Sequence, residues 1–150
     1  MNQNECMIRE ITAQDFDALM LLYTHLHGNP IPDKTEQTEN VWAQIMRDPM
    51  HHIIAAEIDG KLISSCVCVI VPNLTHAQRP YALIENVVTD AAYRKRGFAS
   101  ACLQYAKELA LREGCYKMML MTGAKDKQTL NFYENNGYNR NDKTAFIQWL

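Results

Sequence analysis

The chain has 150 residues, of which 47% are hydrophobic and 21% are charged. This length and this balance are typical of one globular domain, which we expect over residues 1–150, and they exclude a wholly disordered, collagen-like or coiled-coil chain. The formal net charge of -2 and the pI near 6.2 disfavour a protein that binds nucleic acid through a general basic excess.

The first part of the chain predicts one strand followed by two helices. Alternating residues 7–11 predict the strand, and Thr12 and Asp15 then have the spacing of a capping box. Apolar residues at helical spacing follow as far as His27. A second amphipathic pattern predicts a helix over residues 36–47, which ends before Pro49.

The remaining chain alternates between strand and helix patterns. Residues 52–58 and 61–71 flank Asp59-Gly60, a dipeptide typical of a tight hairpin. Further strands are predicted over residues 81–89, 116–121 and 145–149, and helices over residues 97–113 and 127–136. The order β-α-α-β-β-β-α-β-α-β indicates a single mixed α/β domain.

The cysteines and the N-terminal residues favour a cytoplasmic protein. The five cysteines are odd in number and are not at zinc-ligand spacing, so we expect buried free thiols and no metal site. Residues 1–9 are polar and lack the apolar core of a signal peptide. The longest apolar stretch, residues 66–71, is far shorter than the roughly 20 residues of a membrane span, so we expect no membrane contact.

The most informative segment joins the strand over residues 81–89 to the helix that follows. It reads Arg94-Lys95-Arg96-Gly97-Phe98-Ala99-Ser100. The N-terminus of a helix presents unpaired N–H groups and a positive dipole end, which together suit a phosphate. Small residues allow close approach to the backbone, and the three cations add charge, so the segment predicts a pyrophosphate site. A solvated loop before an ordinary helix would also explain so short a pattern, and neither GxxxxGK[ST] nor GxGxxG is present.

A wider pattern resembles the GCN5-related N-acetyltransferases (GNAT). Val87-Val88-Thr89 followed by Arg94-x-x-Gly97-x-Ala99 is similar to the acyl-CoA signature of that family, and residues 131–138 resemble its FYxxxGF-type segment. The resemblance implies a splayed, mostly antiparallel sheet flanked by helices, with acetyl-CoA as co-substrate and no metal. The backbone of Val87, Val88 and Thr89 would pair with the pantetheine arm. The pyrophosphate would be held by Arg94, Lys95, Arg96, Gly97, Phe98, Ala99 and Ser100.

Acyl transfer from a thioester to an amine needs a base for the amine, a donor for the oxyanion and a proton for the thiolate. Glu85 is the candidate base, because its apolar neighbours predict burial and a raised pKa; a paired structural carboxylate is the alternative. Tyr133 is the candidate acid, since the matching family tyrosine lies near the CoA sulfur, although a core aromatic residue is also compatible. The resemblance favours the Val87 N–H as oxyanion donor.

Other conspicuous residues have structural interpretations. We expect Tyr23 and Trp42 to pack in the core; the alternative is that they line the acceptor pocket, which the matching helices cover in the GNAT family. We expect His25 to lie on the surface. Asn86 either contacts substrate or satisfies a bulged backbone.

The sequence leaves three functions open: an N-acetyltransferase that acts on a primary amine of a small molecule or peptide, a CoA-binding regulatory module without turnover, and a nucleotide-binding domain. No motif identifies the acceptor. Dimers are common among the GNAT proteins that the chain resembles, so a homodimer is expected.

Overall fold

The fold is built on one five-stranded sheet with the strand order β1-β2-β3-β4-β5. The structure is a computed structural model that describes residues 5–150, so the first four residues of the polar segment 1–9 lie outside the described residues. The strands are β1 (Met7–Glu10), β2 (His51–Ile58), β3 (Lys61–Val71), β4 (Tyr81–Thr89) and β5 (Met118–Leu120). Neighbouring strands are antiparallel except β4 and β5, which are parallel.

Helices cover both faces of the sheet. They are α1 (Phe16–Tyr23), α2 (Glu36–Arg47), α4 (Phe98–Arg112) and α5 (Lys127–Asn135). The single turn α3 (Thr75–Gln78) is exposed and covers neither face, and its backbone is left-handed at His76, Ala77 and Gln78. On one face, α1 and α2 pack over residues such as Ile53 and Val67. On the other face, α4 and α5 pack over residues such as Ile54 and Cys66. Because neighbouring residues in a strand point to opposite faces, one sheet supplies both apolar layers.

The capping predicted at the start of the first helix is confirmed. The Thr12 N–H donates to Asp15 Oδ2 over 2.6 Å, and a 3₁₀ turn over Ala13–Asp15 leads into α1. The helix is shorter than predicted: it ends at Tyr23 and not at His27. At His27 the backbone is left-handed, with φ of 54°, which a right-handed helix does not allow. The bounds of α2 and β3 are the same in the structure as in the prediction.

The cysteines pack as small apolar side chains, as expected. Cys66, Cys68, Cys102 and Cys115 are buried and free, whereas Cys6 is half-buried. Burial raises the pKa of Cys68 and of Cys102 to about 12. These thiols therefore stay protonated and contribute to the core by packing.

The strand predicted over residues 145–149 is wrong. No strand forms there in the described chain, and Phe146, Ile147 and Trp149 are 90%, 68% and 86% exposed. A strand pattern forms a strand only where a neighbouring edge supplies hydrogen bonds, and residues 145–149 pair with none of the described strands. The strand predicted over residues 116–121 is also shorter, since only Met118–Leu120 pair with β4.

None of the helices in residues 5–150 is both long and apolar enough to span a membrane. The same residues contain no group of three or more His, Cys, Asp or Glu side chains that could hold a metal ion.

Candidate active site

The sheet opens in the middle, at a bulge in β4. Val67 pairs with Glu85 and Ser65 with Val88, so β4 uses one residue more than β3 over this interval. Asn86 accommodates the extra residue with a left-handed backbone, φ of 50°. The pairing between β4 and β5 ends at Ile84, so the β5-facing edge of β4 has no strand neighbour beyond that point.

A sharp turn leads from the end of β4 into α4. Lys95 and Gly97 have φ of 61° and 86°, and Gly97 is the N-cap residue, with no side chain to cap the first turn. The first N–H groups of that turn therefore have no side-chain cap, as an anion site at this position would need. The helix itself begins at Phe98, one residue later than predicted.

The three cations of this turn have different surroundings. Arg96 stacks its guanidinium over the rings of Tyr93 and Phe98, at 5.2 and 5.3 Å from the ring centroids. Arg94 instead turns back, because its Nε donates to the Thr89 carbonyl over 3.2 Å. Arg94 thus holds the turn in shape with its side chain, while Arg96 lies on the two rings and Lys95 is exposed.

Asp90 organises the start of this turn, a role that sequence reasoning missed. Its carboxylate lies 2.6 Å from Lys61 Nζ and accepts from the Ala92 N–H over 2.9 Å. The hydrogen bond from Lys61 is the largest cause that lowers the pKa of Asp90. The carboxylate therefore stays ionised and fixes the chain as it leaves β4.

His25 is not the plain surface residue that we expected. Its Nδ1 accepts from the Ala91 N–H over 3.3 Å, and its carbonyl lies 3.5 Å from Arg94 Nη2. The residues that follow α1 therefore contact the turn that precedes α4 and help to fix its position. No spacing pattern links His25 to Ala91, so only the folded chain reveals this contact.

Helix α5 is fixed against the N-terminus of α4. Asn136 Nδ2 donates to Ser100 Oγ over 3.1 Å and to the Phe132 carbonyl over 2.8 Å. At the other end of α5, Asp126 accepts from the Thr129 N–H over 2.9 Å and caps the helix. This attachment positions Tyr133 beside the opening in the sheet.

Tyr133 is half-buried, within a group of aromatic rings. Its ring centroid lies 5.0 Å from that of Phe132 and 6.3 Å from that of Tyr138. Burial raises the pKa of the Tyr133 hydroxyl, and electrostatic interactions with Cys66 and Glu85 raise it further. Tyr133 therefore holds its proton at neutral pH.

Glu85 lies at a cavity of about 550 Å³ between the sheet and the helices α1 and α2. The expectation that Glu85 is buried is wrong, because Glu85 pairs with Val67 on the face of the sheet where the cavity leaves space, and there it is exposed. Its carboxylate consequently faces the cavity in contact with water.

Tyr23 and Trp42, which we expected to pack in the core, both line this cavity. Asn86 hydrogen-bonds to the Tyr23 hydroxyl, while burial is the main cause that raises the pKa of Tyr23 to about 12. Trp42 Nε1 donates to the Ala13 carbonyl over 3.3 Å, and its ring packs edge-on against Phe16. The periodicity of α1 and α2 correctly marks their apolar faces, but it does not show the space left beneath them.

This arrangement matches a known family. Residues 16–138 match the acetyltransferase (GNAT) family. The chain belongs to this family. A solved structure from Agrobacterium tumefaciens, assigned as an acetyltransferase, is similar with a TM-score of 0.88 and 36% identity, over 95% of this chain and 99% of that chain.

Two further GNAT proteins carry more specific names. The glucosamine 6-phosphate N-acetyltransferase of Trypanosoma brucei brucei is 32% identical over 84 residues, 56% of this chain and 55% of that protein. The aminoglycoside N-acetyltransferase AAC(6')-Iy, solved in complex with CoA, has a TM-score of 0.79 at 16% identity, over 97% of this chain and 95% of that chain. The chain spans 55% to 64% of the length of the curated relatives that it matches.

The predicted site residues of this GNAT chain form two groups around the opening. The turn from Arg94 to Ser100 borders it near the end of β4, and Glu85 and Tyr133 flank the bulge. Val87 lies between the groups, partly buried against the core that α4 covers.

Proposed function

We propose that the chain is an acetyl-CoA-dependent N-acetyltransferase that acylates a primary amine by direct attack. One observation carries the proposal. The unpaired edge of β4 lies between an uncapped helix N-terminus and a cavity that contains a carboxylate. A thioester with a phosphorylated arm and an amine can meet at such an edge from opposite sides.

The cofactor would occupy the opening as an added strand. The pantetheine amides would pair with the backbone of Val87, Val88 and Thr89, whose other edge pairs with β3 through Val88 and Thr89. The pyrophosphate would lie at the N–H groups of residues 94–100, with Lys95 and Arg96 nearby to balance its charge. The CoA complex of AAC(6')-Iy, which shares the fold, supports this choice of cofactor.

The reaction needs no nucleophile from the protein. The ammonium group of the acceptor loses one proton to the Glu85 carboxylate through water, Glu85 releases it to solvent, and the neutral amine attacks the thioester carbon. The nitrogen then loses its second proton to Glu85 by the same route. A C–N bond forms, and the oxyanion accepts a hydrogen bond from the Val87 N–H. The C–S bond then breaks, and the CoA thiolate takes the proton of Tyr133, which Tyr133 regains from solvent.

Thermal unfolding with acetyl-CoA, ATP or NAD tests the cofactor. A ligand at about 100 times its dissociation constant stabilises the folded state by about 2.7 kcal/mol, which raises the midpoint by roughly 5–11 °C for a domain of this size. We expect a rise with acetyl-CoA and none with ATP or NAD. A rise with ATP alone would favour the nucleotide-binding alternative and overturn the proposal.

Release of the CoA thiol in the presence of an amine panel tests turnover. We expect release that depends on the amine and accumulates over many turnovers. Binding of acetyl-CoA without release with any amine would instead favour the regulatory module.

We also propose that the protein is a cytoplasmic homodimer. The free state of its cysteines is typical of a reducing compartment. The exposed apolar residues Phe146, Ile147 and Trp149 form a surface that a second copy would cover. The outer edge of β5 carries no neighbour in the described sheet, so a strand of the second copy has a place to pair.

A further inference from the structure

The floor of the cavity beneath α1 and α2 changes from apolar at one end to acidic at the other. Ile53 pairs with Val67, and Val67 pairs with Glu85, so these residues form one row across three adjacent strands. With strands spaced about 4.8 Å apart, the row is about 10 Å long. It begins at a buried isoleucine, crosses a buried valine and ends at an exposed carboxylate.

The wall opposite this floor is also mainly apolar. It is formed by Phe16 and Met20 from α1 and by Val41, Trp42 and Ile45 from α2. Their side chains leave the cavity open instead of filling it, which suits a flat or chain-like apolar group.

The charges of the cavity are few. Among the described residues that line it, Glu85 is the one acidic side chain, and none is Lys or Arg. The titratable side chain of His51 also contributes to the lining. Burial is the main cause that lowers the pKa of His51, while the nearby Asp48 acts to raise it. The one carboxylate of the described lining therefore lies at the end of the row against the bulge, and no Lys or Arg of the lining balances it.

We infer that the acceptor is a monocationic primary amine on an apolar body, an arylalkylamine or alkylamine, with its nitrogen at Glu85 and its body over Val67 and Ile53. This inference rests on the proposed function and narrows its substrate class. A phosphorylated amino sugar would bring a dianion to a cavity whose described lining has no cation. A polyamino sugar would bring several ammonium groups to one carboxylate.

The decisive experiment compares amines of the two kinds with acetyl-CoA as donor. The panel contains 2-phenylethylamine, hexylamine, glucosamine 6-phosphate and kanamycin, and the readout is kcat/KM from thiol release. We expect values at least tenfold higher for the two apolar amines. Equal or better use of glucosamine 6-phosphate or kanamycin would overturn the inference and leave the proposed acetyltransferase intact.

A matched pair of α2 variants tests the wall of the cavity. Val41 is 49% exposed and lines the cavity, so Val41→Lys places a cation there without disrupting the core. Gln44→Lys makes a cationic change at an exposed position of the same helix, outside the lining. We expect Val41→Lys to lower kcat/KM for 2-phenylethylamine at least tenfold and Gln44→Lys less than twofold, with the thermal shift by acetyl-CoA unchanged in both. Equal effects of the two variants would overturn the inference.

Fluorescence separates binding from turnover. In a Trp149→Phe background, Trp42 is the remaining tryptophan and reports on the cavity. If no amine is acetylated, quenching by 2-phenylethylamine that Val41→Lys abolishes would still support the inference while overturning the proposed activity. Absence of both turnover and quenching would overturn both.

Discussion

Tyr133 and Glu85 approach the same opening from opposite sides of the sheet. Burial is the main cause that raises the pKa of the Tyr133 hydroxyl, and Cys66 and then Glu85 raise it further by their electrostatic interaction. Tyr133 packs with the layer of α4 and α5, whereas Glu85 lines the cavity under α1 and α2. The bulge in β4 lies beside Glu85, so the two groups are close enough to interact electrostatically although they belong to different layers.

Replacement of Tyr133 by phenylalanine tests the acid. We expect kcat to fall about 100-fold or more, because general acid catalysis contributes roughly 10² to 10⁴. Steady-state kinetics with saturating acetyl-CoA measures the effect, and the thermal shift by acetyl-CoA checks that binding persists. Tyr138→Phe is the control, since it removes a hydroxyl from a neighbouring aromatic residue. A similar loss in both variants would argue against a specific role of Tyr133.

Replacement of Glu85 by glutamine tests the base through pH. Near neutral pH we expect kcat/KM to fall about 100-fold, because the amine then lacks a group that accepts its proton. The deficit should shrink as pH rises, since the free amine becomes neutral in solution. A pH profile of kcat/KM measures this recovery, and the exposed Glu113→Gln should retain the original profile. A deficit that is constant at every pH would assign Glu85 to binding instead.

Gly97→Ala tests the turn before α4. A Cβ at Gly97 meets no atom within 4 Å, so the cost arises from the backbone, whose φ is 86°. A left-handed non-glycine residue costs about 1–2 kcal/mol, and relaxation of the strain would also displace the first N–H groups of α4. We expect lower stability in urea unfolding and weaker binding of acetyl-CoA. Gly123→Ala, which also meets open space but has no left-handed φ, should change neither.

The ion pairs of Arg9 predict how stability depends on pH. Arg9 Nη1 lies 2.7 Å from Asp15 Oδ2, and its hydrogen bond is the main cause that lowers the pKa of Asp15 from 3.8 to about 2. A carboxyl with a depressed pKa stabilises the folded state above its unfolded pKa and loses this contribution as pH falls through the folded pKa. Asp15→Asn should therefore lower the free energy of unfolding by about 1–2 kcal/mol at pH 7, with a difference that vanishes between pH 4 and 2.

Urea unfolding at several pH values measures this difference. The exposed pair of Asp17 and Lys34 is the control, because solvent screens it, and Asp17→Asn should cost less than about 0.5 kcal/mol. A pH-independent effect of Asp15→Asn would show that the loss of the helix cap dominates.

The exposed C-terminal residues predict the oligomeric state. Light scattering after size-exclusion chromatography should give twice the 17.2-kDa chain mass. Substitution of both Ile147 and Trp149 by serine should halve that mass without loss of the fold, because these side chains are largely exposed within one chain. Leu74→Ser, at an exposed apolar residue elsewhere, should leave the mass unchanged. A monomeric parent protein would contradict the homodimer.

The fold could be predicted from the sequence where local signals agree with tertiary contacts. Asp59-Gly60 predicted the hairpin, and the apolar period of α2 gave its bounds. The segment 145–149 shows the opposite case, since alternation cannot specify which edge a strand joins. The opening at β4 depends on a bulge at Asn86, and a single positive φ at a non-glycine residue has no reliable sequence pattern.

The candidate site was predictable only in part for the same reason. The residues from Arg94 to Ser100 are contiguous, so a motif could reveal them. His25 and Asp90 meet across 65 positions of sequence, and no local pattern records such a contact. The burial of Glu85 was mispredicted because its apolar neighbours suggested a covered strand, whereas Glu85 borders a cavity that α1 and α2 leave open, and no local pattern shows such a space.

Burial makes four of the five thiols of the folded protein resistant to electrophiles. Disulfide reagents and alkylating agents attack the thiolate, and burial raises the pKa of Cys66, Cys68, Cys102 and Cys115 while it also denies access. Each thiol regains ordinary reactivity only when the core opens. All four thiols lie in the layer between the sheet and the helices α4 and α5, so the rate at which such reagents modify them reports how often that face of the sheet separates from its helices.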